Sequence, residues 1–123
     1  MNMTETINKR QSEYQKFPKK TLNVLSRLVL LNLPDGSIIE EGSARIENIS
    51  LSEVLVSDIK LPSRSLPLET FQVVLFIQDE VLDKIHMLCS VRKINTNGKI
   101  SMRLRIDRIP EKHQARLWEF IRK

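Results

Sequence analysis

The sequence predicts a mainly β fold in which six antiparallel strands form a small barrel and one helix follows. The strongest sign is the segment 99–107, where apolar and polar residues alternate, because a period of two gives a strand one buried and one wet face. The turn before it, residues 95–98, ends in Asn97 and Gly98, which favour the positive φ angles of a hairpin. After Pro110, apolar residues recur at spacings of three and four, as on one side of a helix.

Turn signals divide the rest of the chain into five more strands. The Pro-Asp-Gly sequence at 34–36 ends the first strand, and two prolines make residues 61–68 a loop. The predicted strands are 22–33, 38–49, 54–59, 71–77 and 84–94. We therefore expect a basic, flexible N-terminal segment at 1–20, the barrel at 21–109 and a C-terminal helix packed on it at 110–123.

Composition bounds the class of protein. With 123 residues, of which 41% are hydrophobic, the chain can bury one modest core and is expected to fold. The longest apolar run, at 73–77, is far shorter than the roughly 20 residues that cross a bilayer. The first residues lack the apolar stretch of a signal peptide, and Cys89 has no second cysteine to pair with. These features predict a cytoplasmic protein without membrane insertion.

The positive net charge of +5 is concentrated at the two ends of the chain. Lys and Arg outnumber the acids in 1–20 and in 103–123, whereas the acids are in excess between them. Basic ends of this kind suit an anionic ligand, a nucleic acid or an acidic protein, and they also serve simply as solvated faces.

Two short polar segments carry a functional resemblance. The basic stretch 15–20, Gln-Lys-Phe-Pro-Lys-Lys, precedes the first strand, and Asn48 and Ser50 form a polar corner between the second and third strands. Together they resemble the Arg-x-x-x-Arg loop and the Asp/Asn-x-Ser-x-x-Gly corner of the PilZ domain, the bacterial receptor module for cyclic di-GMP. The resemblance runs from about residue 15 to the end. It implies a six-stranded antiparallel barrel with a C-terminal helix.

The resemblance also implies a ligand site, whose basic half is altered here. The family's two arginines, which grip phosphate and guanine, fall on Gln15 and Lys19. Gln15 has no charge, and Lys19 lacks the planar fork of arginine. Lys16 and Lys20 add positive potential beside them. A solvated basic lead-in is the plainer interpretation of this stretch.

The polar corner is altered as well. Asn48 and Ser50 match the family pattern, but Glu53 stands at its glycine position and brings a negative charge where an anion would bind. Each lost charge-assisted hydrogen bond costs about 1.5–3 kcal/mol, so cyclic di-GMP binding is expected to be weak or lost. For Asn48 and Ser50 a turn that bonds to itself is at least as good an interpretation as ligand contact.

Other chemistry finds little support in the sequence. His86 is expected at a half-buried strand position and His113 on the first turn of the helix, without the spacing of a metal site. Cys89 is in phase with apolar residues, which favours a buried and unreactive thiol. We therefore predict no enzyme, no metal and no cofactor, with cyclic di-GMP as at most a weak ligand.

Three functions from different classes remain open. The first is a PilZ-like regulatory or adaptor module in bacterial signalling, which contacts an unidentified protein partner. Trp118 is its candidate partner-binding residue, because Leu117 and Ile121 are four apart and can face the core together. The second is a working cyclic di-GMP receptor that uses the basic loop and the corner. The third and weakest is a nucleic-acid-binding barrel, for which the strands carry few stacking aromatic residues.

Overall fold

The computed structural model describes residues 20–122 except positions 81 and 83. It contains six strands and one helix: β1 (Lys20–Asn32), β2 (Ile38–Ile49), β3 (Glu53–Lys60), β4 (Phe71–Ile77), β5 (His86–Asn95), β6 (Ser101–Arg108) and α1 (Glu111–Arg122). The predicted mainly β class, the strand count and the terminal helix are confirmed, and the predicted strand ends differ from these by about two residues at most.

The strands form a closed antiparallel barrel in the order β1-β2-β3-β6-β5-β4. Its closing contact is between β1 and β4, from the pair Ser26–Ile77 to the pair Asn32–Phe71. β6 lies between β3 and β5 and pairs with both. The last strand of the sequence therefore connects the β1-β2-β3 part of the barrel wall to β5 and β4. Closure gives most strands a partner on both sides, which leaves few free backbone groups along the wall.

Alternation along the strands fills the inside of the barrel. In β4 the residues Phe71, Val73, Leu75 and Ile77 are buried, and the residues between them are only half-buried. The other strands add inward residues to one continuous core. The period-two pattern of the sequence therefore marks the inner face of the wall, as predicted.

The helix covers one end of the barrel, which we call the helix end. Lys20, the first residue of β1, lies against Phe120, and His86, the first residue of β5, lies against His113. Leu117 is fully buried and joins the barrel core. Within the part of the chain that the structure describes, no helix is long and apolar enough to span a membrane.

One predicted turn differs from the structure. The 34–36 turn is as expected, with a positive φ of 73° at Gly36. In the β5–β6 hairpin, however, only Gly98 has a positive φ, so the prediction of a second such residue at Asn97 is wrong. The last strand pair is Asn95–Ser101, which makes the loop longer than the two-residue hairpin that needs two positive φ angles. The Asn97 amide instead donates to the Asn95 side chain at 2.9 Å.

The backbones of β2 and β3 approach each other closely at the end of the barrel opposite the helix. A Cβ atom at Gly42 would lie 2.1 Å from the carbonyl oxygen of Lys60, so only glycine fits here. The register of this pair shifts nearby, and Asp58 has a left-handed φ of 49°. Such an irregularity bends a strand, which a small barrel needs in order to close.

Candidate functional site

The predicted basic loop is represented in the structure by one residue. Gln15, Lys16 and Lys19 lie outside the described residues. Lys20 begins β1, is half-buried, and has its ammonium nitrogen 5.4 Å from the centre of the Phe120 ring. This distance permits a cation–π contact, so Lys20 is engaged with the helix.

The polar corner between β2 and β3 is a tight turn closed by Ser50. The Ser50 amide donates to the Glu53 carbonyl at 2.9 Å. The buried Ser50 hydroxyl oxygen accepts hydrogen bonds from the amides of Glu53 at 3.0 Å and Ser52 at 3.2 Å. Ser50 therefore stabilises its own turn, and its oxygen is occupied by backbone donors.

Asn48 lies outside this turn. It is the last residue but one of β2 and pairs with Thr21 of β1 and Leu55 of β3. Its side chain is half-buried and makes no hydrogen bond with any of the described residues. The two matching residues of the corner thus have different roles, since Ser50 builds the turn and Asn48 leaves an amide group available.

Glu53 begins β3 directly opposite Arg105 of β6. The backbone of Glu53 does not have the positive φ that favours glycine. The negatively charged Glu53 side chain is half-buried at this position, and its backbone is not strained. An anion that approached the corner would meet this carboxylate.

A row of basic side chains lies beside the corner on the outer face of the barrel. Arg103 and Arg105 of β6 are exposed, and the Arg105 Nε is 2.8 Å from a carboxylate oxygen of Asp107. Arg103 pairs across the sheet with Lys93 of β5 and Leu55 of β3. These three line a depression of about 120 Å³ together with Asn95 and Ser101.

Sequence reasoning did not select these arginines as site residues. The available signal was their position on the polar side of the alternating segment 99–107. Facing Lys93 and Arg103 carry like charges, which destabilise a sheet by a few tenths of a kcal/mol. A bound anion would offset this repulsion.

The strand aromatics do not form a stacking surface. Phe71 is buried inside the barrel. Phe76 points outward, but its ring centre lies 5.4 Å from the Arg27 guanidinium and 5.7 Å from the His86 ring. No other aromatic residue lies on a described strand, so the geometry gives no support to the nucleic-acid interpretation.

Two histidines meet where the helix covers the barrel. The rings of His86 and His113 are 5.0 Å apart in an edge-to-face arrangement. His86 is half-buried in its strand, as expected, whereas His113 is buried and its Nδ1 has no hydrogen-bond partner among the described residues. Burial lowers the pKa of His113, and the positive charges of His86, Lys112 and Arg116 lower it further.

This histidine makes stability depend on pH. Because the pKa of His113 is lower in the fold than its ordinary value of about 6.5, the unfolded chain binds the proton more readily. The stability that neutral His113 contributes is complete above about pH 6.5 and is lost as pH falls below it. Urea unfolding between about pH 8 and pH 5.5 should show this decline, and His113→Gln should flatten it. An equal decline in both proteins would contradict the assignment.

The single cysteine is part of the core. Cys89 is fully buried in β5. Burial, assisted by the charge of Asp107, raises the pKa of its thiol to about 12. The thiol is therefore protonated at neutral pH, which agrees with the predicted unreactive cysteine.

Trp118 lies at the edge of α1. Leu117 and Ile121 face the barrel and are buried, as their spacing predicted, while Trp118 is half-buried. The guanidinium of Arg122 lies 5.9 Å from its ring. One side of the Trp118 indole is therefore exposed to solvent, next to the positive charge of Arg122.

A solved structure has the same barrel. The Bacillus subtilis inhibitor of motility, MotI/DgrA, matches with a TM-score of 0.58 and 17% sequence identity. The match covers 86% of this chain and 48% of the other, so this chain spans about half the length of its neighbour. The fold is PilZ-like. No protein-family model matches the chain, and no curated protein matches it either.

Of the altered motif positions, only Glu53 lies within the described residues, and its surroundings can be given. Ser50 and Glu53 belong to the β2–β3 turn, and Arg105 lies across from Glu53. Lys20 is paired with Ile49, immediately before that turn. The first strand, the corner and β6 thus meet on one side of the barrel near its helix end.

Proposed function

We propose that this chain is a PilZ-like regulatory module in bacterial signalling that acts mainly through protein contacts, with cyclic di-GMP binding weak or lost. The observation that carries the proposal is the self-closed corner, in which the Ser50 hydroxyl is occupied and Glu53 presents a carboxylate. The structural neighbour is an inhibitor of motility, which supports a regulatory role and makes motility one setting for it.

The energetics of the corner favour loss of the ligand. To bind a phosphate oxygen, the hydroxyl proton of Ser50 would have to leave its contacts with Ser52 and Glu53. Each charge-assisted hydrogen bond that is missing costs about 1.5–3 kcal/mol, and every 1.4 kcal/mol is about a tenfold change in affinity. With Gln15 and Lys19 at the arginine positions, the affinity falls by several orders of magnitude.

A receptor remains the second candidate because of the neighbouring cations. Arg105 lies opposite Glu53, and Arg103 and Lys93 extend the positive row along the same outer face. Arginine forks on this row could replace those missing from the N-terminal loop.

Calorimetric titration with cyclic di-GMP separates the two candidates. We expect no heat of binding, or weak binding that disappears as salt is raised, because exposed charge contacts are screened. A dissociation constant in the low micromolar range or tighter, in ordinary salt, would establish the receptor instead. In that case Arg103→Ala and Arg105→Ala should each weaken binding, whereas Arg64→Ala, an exposed arginine in the 61–70 loop, should not.

Repair of the motif is the complementary experiment. The triple variant Gln15→Arg, Lys19→Arg, Glu53→Gly restores two forked donors and removes the repelling carboxylate, so it should create or strengthen cyclic di-GMP binding. Glu53→Gly alone is the control for removal of charge and should give a smaller gain. A folded triple variant that still shows no binding would mean that these positions do not form the ligand site.

A further inference from the structure

The barrel wall has an open flank at the end opposite the helix. β4 and β5 pair only as far as Gln72 and Ser90, but β5 continues to Asn95. On one side Val91, Lys93, Ile94 and Asn95 are paired with β6, with Arg92 at a register shift between Val91 and Lys93. On the other side no described strand pairs with residues 91–95. We call residues 91–95 the β5 flank. Unpaired backbone groups along such a flank are a template for one more strand.

The preceding loop leaves this flank uncovered. Residues 61–70 would have to extend β4 to pair with it, but they contain two prolines and form no strand. Proline lacks the amide hydrogen that a sheet ladder requires. The end of the loop bonds to β1 instead, where the Leu33 amide donates to the Thr70 carbonyl at 3.4 Å.

An apolar groove runs beside the β5 flank. It has a volume of about 370 Å³, and its apolar walls include Leu33, Leu68, Phe71, Val91 and Ile94. Leu68 is fully exposed, and Leu33 and Ile94 are 45% and 40% exposed. An added strand would place every second side chain toward this groove, so apolar residues are expected at alternate positions of the occupant.

The positive charges on the β5 flank, outside the groove lining, select an acidic occupant. Arg92 and Lys93 lie on the flank itself, are exposed, and form no ion pair with any described residue. Arg103, across the sheet from Lys93, adds a third positive charge. The acid among the groove residues, Glu69, is held by the Asn32 side chain at 3.4 Å. Opposite charges beside a docked strand give it orientation and speed its association.

We propose that the β5 flank binds an extended acidic segment of a partner protein as an added strand. The backbone of the segment pairs with residues 91–95, its apolar side chains fill the groove, and its carboxylates face Arg92 and Lys93. This inference rests on the proposed role in protein contacts and assigns that role a surface separate from Trp118. Two of its charges, Lys93 and Arg103, belong to the basic row beside the β2–β3 corner.

Peptide selection against the intact chain provides the test. A display library of random peptides of about 12 residues is selected on the immobilised protein, and the enriched peptides are titrated by fluorescence anisotropy. We expect alternating apolar residues with an excess of Asp and Glu. Leu68→Glu should weaken the selected peptides about tenfold or more, because it places a like charge in the groove. Leu25→Glu, on β1 toward the helix end, is the matched control, since Leu25 is 49% exposed and should leave affinity unchanged.

A second pair of variants tests the charges. Lys93→Glu should weaken the selected peptides, whereas Lys112→Glu on the helix should not. Amide exchange should slow at residues 91–95 when the peptide binds, as expected for a new ladder of hydrogen bonds.

Three results would overturn the proposal. The first is that Leu68→Glu leaves the affinity of the enriched peptides unchanged. If Trp118→Ala weakens their binding instead, the protein contacts are made by the helix, and only the β5 flank is excluded as the binding surface. The second is a dimer of the chain alone that Leu68→Glu converts to a monomer, which would assign the flank to a second copy. The third is slow exchange in the free monomer of those amides in 91–95 that do not bond to β6, because the open side of the flank would then already be paired.

Discussion

Gly42→Ala is expected to destabilise the barrel by about 3 kcal/mol or more, since the new methyl group meets a backbone atom that a rotamer change does not move. The added Cβ would lie 2.1 Å from the Lys60 carbonyl oxygen and 2.9 Å from a methyl carbon of Leu61. Relief requires β2 and β3 to separate, and this opens the wall of the barrel. Urea unfolding of the variant beside the parent measures the loss.

Gly98→Ala is the matched control for this substitution. Gly98 has a positive φ of 82° but open space around its Cβ position, so alanine there meets only backbone strain. That strain is worth about 1–2 kcal/mol. If the two variants lose the same stability, the strands already tolerate the displacement and the close approach at Gly42 has no structural importance.

Leu117→Ala is expected to cost about 3 kcal/mol, within the range for truncation of a buried leucine. Leu117 is fully buried and belongs to the barrel core, so its removal leaves a cavity under the helix. Trp118→Ala should cost clearly less, because the indole is half-buried at the helix edge. Thermal melts of the two variants beside the parent compare these effects.

The same two variants bear on the adaptor role of the helix. If Trp118 anchors a protein partner, Trp118→Ala should weaken binding to that partner while the protein stays folded. A drop in melting temperature for Trp118→Ala as large as for Leu117→Ala would make Trp118 a core residue and remove it as a contact candidate.

Local patterns were sufficient to predict the elements of this fold. The alternation at 99–107 locates β6, and the 34–36 turn separates β1 from β2, because each signal depends on a few adjacent residues. The positions of Leu117 and Ile121 on the helix followed from their spacing for the same reason. The spacing also left Trp118 at the edge.

Features that depend on distant partners were not predicted. The strand order, with β6 between β3 and β5, arises from pairings between residues far apart in sequence. Gly42 has no special φ, and its requirement comes from the Lys60 carbonyl on another strand. The contact between His86 and His113 and the like-charged pair Lys93 and Arg103 likewise exist only after the barrel closes. The loop of the β5–β6 hairpin was misjudged because Asn97-Gly98 alone does not fix the length of a loop.

The position of β6 also determines when the protein can become a barrel during synthesis. β3 has no second neighbouring strand until β6 has been synthesised, because Glu53 pairs with Arg105, about 50 residues later in the sequence. Until then both β3 and β5 expose long edges, and pairing between such distant segments is slow. A chain whose synthesis ends before β6 would therefore have two open sheet edges, which chaperones bind and through which chains aggregate. Expression of this protein should accordingly respond more strongly to chaperone supply than that of a helical protein of equal size.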